Sequence, residues 1–245
     1  MRFETEFLPS RHGFAFANTW RDVLLGAVPV RGRCGGMAFA ALDYYEAGEP
    51  VPRDRELPPY DSALARLIWR RQLASVFSGL GYNLWRFAQM TYRPTTGLHG
   101  VAALTRREIG RVLDSLAGGR PAPLGLINAF DLKHLGRNHQ VLAYGAELTP
   151  THALLRIYDP NHPRCDDIVL EVPLEGAGPL VERVGDRCIE WRGMFAEKYA
   201  SIPRVGSATT LEEHAPGDAV VLVVGALGLL LAVGALRWLF GRRRY

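Results

Sequence analysis

A run of eighteen residues without a polar side chain, residues 219–236, constrains the fold of this chain more than any other sequence feature. Helices in globular cores rarely extend this far without a polar position, whereas about 20 apolar residues suffice to cross the roughly 30 Å hydrocarbon core of a bilayer. Trp238 follows the run at the position expected of an interfacial anchor. The sequence therefore predicts one transmembrane helix over residues 219–240.

The formal net charge of +4 has its source at the C-terminus. Residues 237–245 contain four arginines and no acidic residue, so the other 236 residues hold 25 basic side chains (29 − 4) against 25 acidic ones. A domain with no net charge does not indicate a phosphate-binding face, and we expect no nucleic-acid partner. The arginines suit a membrane-topology signal and a contact with lipid headgroups.

Two observations disagree about the side of the membrane that the rest of the chain would occupy. Acidic residues precede the apolar run and arginines follow it, which by the positive-inside rule places the C-terminus in the cytoplasm and the domain outside. The N-terminus shows no signal peptide, which keeps the domain in the cytoplasm and makes the run a tail anchor. We expect a single-pass C-terminal membrane anchor with the domain in the cytoplasm; processing of the tail as a sorting signal stays open.

The chain before the run is predicted to form one folded domain, residues 1–205. With 48% of all residues apolar, a chain of this length can build a sizeable core, and no internal repeat is evident. Residues 206–218 are small, polar and punctuated by Pro and Gly, which is typical of a linker. Residues 241–245 form a basic tail.

Helical patterns dominate the first half of the domain, and strand patterns dominate the second half. The predicted helices are 37–47, 61–90 and 105–117, and the predicted strands are 123–129, 140–147, 153–158, 168–172 and 186–191. We expect the second helix to break near Gly79 and Gly81, and the third to begin with a capping box of Thr105 and Glu108. Helices followed by antiparallel strands indicate an α+β domain.

Cys34 stands among glycines directly before the first predicted helix. A thiol at a helix N-terminus lies at the positive end of the macrodipole, which favours the nucleophilic thiolate, and Gly35 and Gly36 let backbone N–H groups approach a substrate. The alternative is a small buried hydrophobe. Three cysteines are an odd number for a disulfide framework and favour a reducing compartment. A pair between Cys165 and Cys188 remains an alternative that still leaves Cys34 free.

His139 and Asp159 form the second part of a candidate site. His139 opens one predicted strand, and Asp159 follows the next strand along the chain. Two antiparallel strands joined by a hairpin bring the start of the first beside the end of the second, so the two side chains should meet. A surface histidine and a turn at Asp159 are the alternatives. No Cys/His spacing matches a zinc site, and we predict neither a metal nor a cofactor.

The order of these motifs resembles that of the papain-like cysteine peptidase superfamily, and most of all its bacterial C39-like branch. The motifs are RCGGM, NHQVLAYG and IYDPN, within residues 14–172. The resemblance implies a papain-like cysteine protease fold, with N-terminal helices and a C-terminal antiparallel sheet. It also implies that Cys34 is the nucleophile, that His139 is the general base and then acid, and that Asp159 orients the imidazole. Asn161 is the alternative orienting residue.

One position departs from the family pattern. Family members usually carry a Gln about six residues before the Cys, as a donor to the oxyanion hole, and this chain has no Gln there. Asn18 is a candidate replacement for that amide. Without any replacement, the loss of one oxyanion donor would cost about 10²–10³ in rate.

The function predicted from these features is that of a membrane-anchored thiol hydrolase. It would cleave peptide or other amide bonds through an acyl-enzyme on Cys34. A membrane-tethered module that keeps the fold and binds a peptide without catalysis is the alternative favoured by the missing Gln. An acyltransferase using the same three residues is a third option.

Overall fold

The computed structural model describes residues 1–24 and 28–202. The predicted linker, transmembrane helix and basic tail, residues 206–245, lie outside the described residues. The described helices are α1 (Pro9–His12), α2 (Cys34–Glu46), α3 (Ala63–Tyr92) and α4 (Val101–Ala117), with a 3₁₀ helix at Leu132–Arg137. The described part of the chain is therefore an α+β domain.

Eight of the ten described strands form one curled antiparallel sheet. The strands are β1 (Arg2–Glu4), β2 (Arg21–Leu24), β3 (Val28–Arg31), β4 (Ala122–Ile127), β5 (His139–Leu148), β6 (His152–Tyr158), β7 (Val169–Pro173), β8 (Leu180–Val184), β9 (Arg187–Trp191) and β10 (Gly193–Ala196). Their order in the sheet is β10-β4-β5-β6-β7-β8-β9, and β1 pairs with the second half of β5. Strands β2 and β3 pair as a separate hairpin.

Strand β5 lies at the centre of the domain, because it pairs with β4, β6 and β1 and is covered on both faces. Leu142 and Tyr144 belong to the core that contains α2, whereas Val141 and Ala143 belong to the core that contains α4. Successive side chains of a strand point to opposite faces, so a strand buried on both faces reads as a continuous apolar run. This explains the apolar stretch of residues 141–146 within β5.

Helix α2 begins three residues earlier than the predicted helix and ends one residue before its predicted end. Arg33 is the N-cap residue, so Cys34 is the first residue of the helix. Most of the helix is buried, including Met37 and Leu42, and it packs between α3 and β5. The prediction of a buried helix directly after the Cys34 motif is confirmed.

The predicted break in the second helix is confirmed, but the predicted start of the third helix is wrong. Backbone angles leave the helical region from Ser78 to Gly81, within α3. Helix α4 begins at Val101 instead of Thr105, whose buried hydroxyl accepts from the backbone N–H of Met194 (2.9 Å) and donates to its carbonyl (3.2 Å). The Thr105 hydroxyl therefore binds the backbone of β10 and does not form the capping box with Glu108 that the spacing predicted.

Each of the five predicted strands has a counterpart in the structure, while β1, β2, β3, β8 and β10 were not predicted. These are short strands of three to five residues with no long apolar run to mark them. Because β1 joins the sheet beside β5, the order is not simply helices first and strands second.

The predicted fold class and the predicted localisation both included a single-pass membrane anchor, and this part of both predictions is corrected. Within residues 1–24 and 28–202, no helix combines the length and the apolar character needed to cross a bilayer. The longest, α3, carries four arginines between Arg66 and Arg86, and charged side chains are costly in hydrocarbon. The predicted span, residues 219–240, lies outside the described residues. What the structure describes is an α+β domain without a candidate membrane span in residues 1–24 and 28–202.

A buried ion pair between α2 and α3 yields a stability prediction. The Asp43 carboxylate accepts hydrogen bonds from Nη2 of Arg71 at 3.0 Å and from the Tyr199 hydroxyl at 2.7 Å, and its Oδ2 lies 2.7 Å from Nε of Arg71. Asp43→Ala leaves the guanidinium buried without its counter-charge, and should lower the free energy of unfolding by about 3–5 kcal/mol in urea titrations. Asp54→Ala, at an exposed loop position, should change it by less than about 0.5 kcal/mol. Equal effects of the two substitutions would contradict a stabilising role for the ion pair between Asp43 and Arg71.

Candidate functional site

The packing of α2 against β5 brings together the starts of two elements. Cys34 is the first residue of α2, and His139 is the first residue of β5. Leu142 of β5 pairs with Tyr158 of β6, so the residue after Tyr158 lies beside the start of β5. That residue is Asp159. The structure thus brings Cys34, His139 and Asp159 into one cluster.

The imidazole of His139 lies between the thiol and the carboxylate. Its Nε2 contacts Oδ1 of Asp159 at 2.6 Å, and the Cys34 thiol lies near enough to the ring to raise the pKa of the imidazole. Since Asp159 occupies Nε2, Nδ1 is the ring nitrogen that remains for the thiol. Asp159 is 1% exposed and His139 is 8% exposed, whereas Cys34 is partly exposed. A substrate can therefore reach the sulfur while the histidine and the aspartate stay protected from water.

The charges of this cluster stabilise one another. Burial alone would lower the pKa of His139, but the charges of Asp159 and Cys34 and the hydrogen bonds to both raise the pKa well above its ordinary value of 6.5. Burial alone would raise the pKa of Asp159, but the charge and the hydrogen bond of His139 lower it. The environment therefore favours a protonated imidazole beside an ionised Asp159 carboxylate.

Asn18 and Asn161 both lie at this cluster. Oδ1 of Asn18 accepts from the backbone N–H of Arg33 at 2.5 Å, and Nδ2 of Asn18 donates to Oδ1 of Asn161 at 3.2 Å. Nδ2 of Asn161 lies 3.3 Å from Nε2 of His139, farther than the 2.6 Å contact of Asp159. The shorter contact favours Asp159 over Asn161 as the residue that orients the imidazole.

The tight turn before the helix depends on a glycine beside Asn18. Gly32 has a φ of +81°, and a Cβ built on it would collide with the Asn18 side chain. Only glycine adopts this backbone conformation readily while leaving room for the amide. Gly32 therefore allows Asn18 to reach the residue directly before Cys34.

The two glycines after Cys34 are buried against a polar network. The N–H of Gly36 donates to Oε1 of Gln72 at 2.9 Å, so this amide already has a partner in the protein. A Cβ on Gly35 would collide with the side chains of Ser75 and Gln140. Nε2 of Gln140 in turn donates to Glu197 at 2.7 Å. These glycines let the helix approach a network that sets the position of its first turn.

Arg33 is a positioning residue that the sequence did not reveal. Its buried guanidinium forms a two-point ion pair with Asp22, at 2.7 and 2.8 Å, and donates to the carbonyl of Ala65 at 2.8 Å. Three aromatic rings lie 4.0–5.2 Å from its central carbon, those of Trp20, Tyr60 and Trp69. Such contacts add cation–π attraction to the ion pair. They fix the backbone one residue before Cys34, and no local pattern indicates partners so distant in sequence.

Trp191 is a second residue that the sequence did not single out. It ends β9, and its indole stacks on the His139 imidazole with ring centroids 5.9 Å apart and planes 15° apart. Its Nε1 donates to Glu182 at 2.8 Å. The stacked ring covers the imidazole and limits its rotation.

The other two cysteines have different surroundings, and all three thiols are free. Cys165 donates to the Asp167 carboxylate at 2.9 Å, and burial and that carboxylate raise the pKa of its thiol. Cys188 is exposed and lies 3.4 Å from a guanidinium nitrogen of Arg183. The alternative of a bond between Cys165 and Cys188 is therefore not observed.

Comparison of the chain with protein-family models, with curated proteins and with solved structures finds no match. The resemblance to papain-like peptidases consequently stays a prediction from the motifs.

The geometry predicts that Cys34 is the most reactive thiol at slightly acidic pH. With limiting iodoacetamide at pH 6, peptide mass spectrometry should show Cys34 alkylated at least about tenfold faster than Cys165 or Cys188, because an adjacent imidazolium stabilises the thiolate. His139→Ala should remove this advantage, while the control His152→Ala, at the partly exposed start of β6, should retain it. Faster alkylation of the exposed Cys188 in the wild-type protein would contradict the prediction.

Proposed function

We propose that this protein is a thiol hydrolase that cleaves peptide or other amide bonds through an acyl-enzyme on Cys34. One observation carries the proposal: the His139 imidazole lies between the Cys34 thiol and the buried Asp159 carboxylate. This is the arrangement that activates a sulfur nucleophile and supplies a proton to a leaving group. The partial exposure of Cys34 supports it as well.

In the first step, the sulfur of Cys34 attacks the carbonyl carbon of the substrate and forms a C–S bond. The C–N bond then breaks, and the His139 imidazolium transfers its proton to the departing amine. In the second step, water attacks the thioester while neutral His139 accepts its proton. The C–S bond breaks, the acid product leaves, and Cys34 and His139 return to their starting states. Asp159 keeps the ring oriented through Nε2 in both steps.

The negative charge that develops on the substrate oxygen requires donors near the sulfur. Cys34 is at the start of a thirteen-residue helix, where backbone N–H groups and the positive end of the macrodipole face an anion. The Asn18 amide, positioned by Gly32 and Arg33, is our candidate for the second donor. To serve in this way, its Nδ2 must exchange the hydrogen bond to Asn161 for one to the substrate oxygen.

A peptide-binding module without catalysis is the second candidate. The observation in its favour is that the Asn18 amide and the Gly36 N–H both already have partners in the protein. Such a module would bind a peptide and release it unchanged. It would form no covalent adduct with an acylating substrate, which separates the two candidates experimentally.

Trapping of the acyl-enzyme tests the proposal directly. A thiol-directed acylating probe, such as a peptidyl 4-nitrophenyl ester, should leave its acyl group as a thioester on Cys34 of the wild-type protein and leave Cys34→Ser unlabelled in intact-mass measurements after an acid quench. His139→Ala should slow labelling by about 10²–10⁴-fold, because general acid–base assistance is lost. Cys188→Ser is the matched control and should label at the wild-type rate. Equal labelling of the wild type and Cys34→Ser would refute the hydrolase.

The role of Asn18 is tested by a change that removes a donor and keeps an acceptor. Asn18→Asp retains an oxygen for the N–H of Arg33 but has no amide to offer the substrate. We expect the acylation rate to fall by about 10²–10³-fold with little change in probe binding, as for other oxyanion donors. Asn128→Asp, at a similarly half-buried position, is the control and should leave the rate unchanged. An unaltered rate in Asn18→Asp would exclude Asn18 as the donor.

A further inference from the structure

Glu182 of β8 is a buried carboxyl group behind the proposed catalytic residues. It is 0% exposed, and its Oε2 accepts a hydrogen bond from the indole of Trp191 at 2.8 Å. The same side chain lies near enough to the carboxyl group of Asp159 for the two groups to shift each other's pKa. Trp191 stacks on His139, and Asp159 binds the same ring through Nε2. Glu182 thus contacts both groups that hold the imidazole.

Two carboxyl groups in contact in a buried site share one proton, because two adjacent negative charges away from water repel strongly. Asp159 is the member that keeps its charge, since it accepts from His139 at 2.6 Å and from the backbone N–H of Asn161 at 2.8 Å. Oε1 of Glu182 is buried and no N–H or O–H donor of the described residues reaches it. A proton on Glu182 removes the repulsion between two carboxylates and gives its buried oxygen a partner, because the O–H then donates to Asp159.

We propose that Glu182 is a positioning residue which, as a neutral acid, donates a hydrogen bond to Asp159 and holds the Trp191 indole against the His139 ring. The proposal rests on the proposed function for its catalytic consequence, but not for its geometry. Glu182 touches neither substrate nor Cys34 in this role. It acts by fixing the two groups that fix the imidazole.

The site gains a dependence on pH from this arrangement. Burial first, and then the charge of Asp159, raise the pKa of Glu182 to about 7, while the hydrogen bond from Trp191 and the charge of His139 oppose the rise. Loss of this proton replaces the donated hydrogen bond by repulsion from Asp159. The support behind the imidazole should therefore weaken as pH rises through about 7.

The other titratable groups around the pair are few among the described residues and can be separated from Glu182. His139 binds Asp159 through its Nε2, and Cys34 lies next to His139. His162 lies with its Nε2 3.8 Å from Oδ2 of Asp159 and is partly exposed. In a pH titration of the site, an inflection that comes from Glu182 must therefore disappear when Glu182 alone is made non-ionisable.

Glu182→Gln is the decisive variant, because the amide donates to Asp159 and accepts from Trp191 at every pH. In full-length protein, the ¹⁵N chemical shifts of the His139 ring should show an inflection near pH 7 in the wild type and none in Glu182→Gln. The control Glu171→Gln, whose carboxylate pairs with Arg183 on the neighbouring strand, should keep the inflection. Persistence of the inflection in Glu182→Gln would overturn the proposal.

A second variant keeps the test valid if Glu182→Gln does not fold. Trp191→Phe retains an aromatic ring over His139 but removes the indole N–H that lowers the pKa of Glu182. The same inflection should then move to higher pH, and an unmoved inflection would overturn the assignment to Glu182.

The acylation rate provides the catalytic readout of the same substitution. With the peptidyl 4-nitrophenyl ester, Glu182→Gln should be acylated within about twofold of the wild-type rate at pH 6 and should keep its rate farther into the alkaline range. A superimposable pH profile would overturn the positioning role. If neither protein reacts with the probe, the hydrolase fails, whereas the His139 inflection still decides the role of Glu182 independently.

Discussion

The packing of α2 against β5 is the constraint on which the site depends. The helix and the strand meet in a core that contains Leu42 and Leu142, and each element carries its reactive residue at its first position. The apolar packing of this helix against this strand therefore brings the Cys34 sulfur and the His139 imidazole together. The hairpin from β5 to β6 then returns the chain so that Asp159 faces the same imidazole. A cluster built on element ends with buried flanks is held more rigidly than one built on free loops.

Electrostatic balance is the second condition of this arrangement. Three buried charges near Cys34 have a partner of opposite charge: Arg33 has Asp22, Asp43 has Arg71, and Asp159 has His139. An unpaired charge at any of these positions would cost several kcal/mol, so the pairs fix which side chains can occupy the space around α2. Arg33 directly precedes Cys34 in the chain, and its ion pair and aromatic contacts hold the turn in which Gly32 and Asn18 meet.

The sequence predicts local features of this domain well and long-range partners poorly. The Cys34 motif, the first residue of β5 and the hairpin to Asp159 follow from short spacings, and the structure brings these residues together. The predicted start of α4 was wrong because Thr105 does not cap its own helix. Its hydroxyl binds Met194 of β10, 89 residues away in sequence. Glu182 was missed for the same reason: its burial depends on Asp159 and Trp191, which no local periodicity can reveal.

The cost of the buried groups bears on the choice between hydrolase and binding module. His139, Asp159 and Glu182 are all removed from water, and replacing buried ionic groups by apolar ones of similar size is often neutral or stabilising. A module that only binds a peptide needs the surface of the domain, but it needs neither an oriented imidazole nor a carboxyl pair behind it. General acid–base chemistry at Cys34 requires both an oriented ring and a tuned charge. Three groups whose burial costs free energy lie together near a partly exposed thiol. Their presence is therefore an argument for catalysis over binding alone.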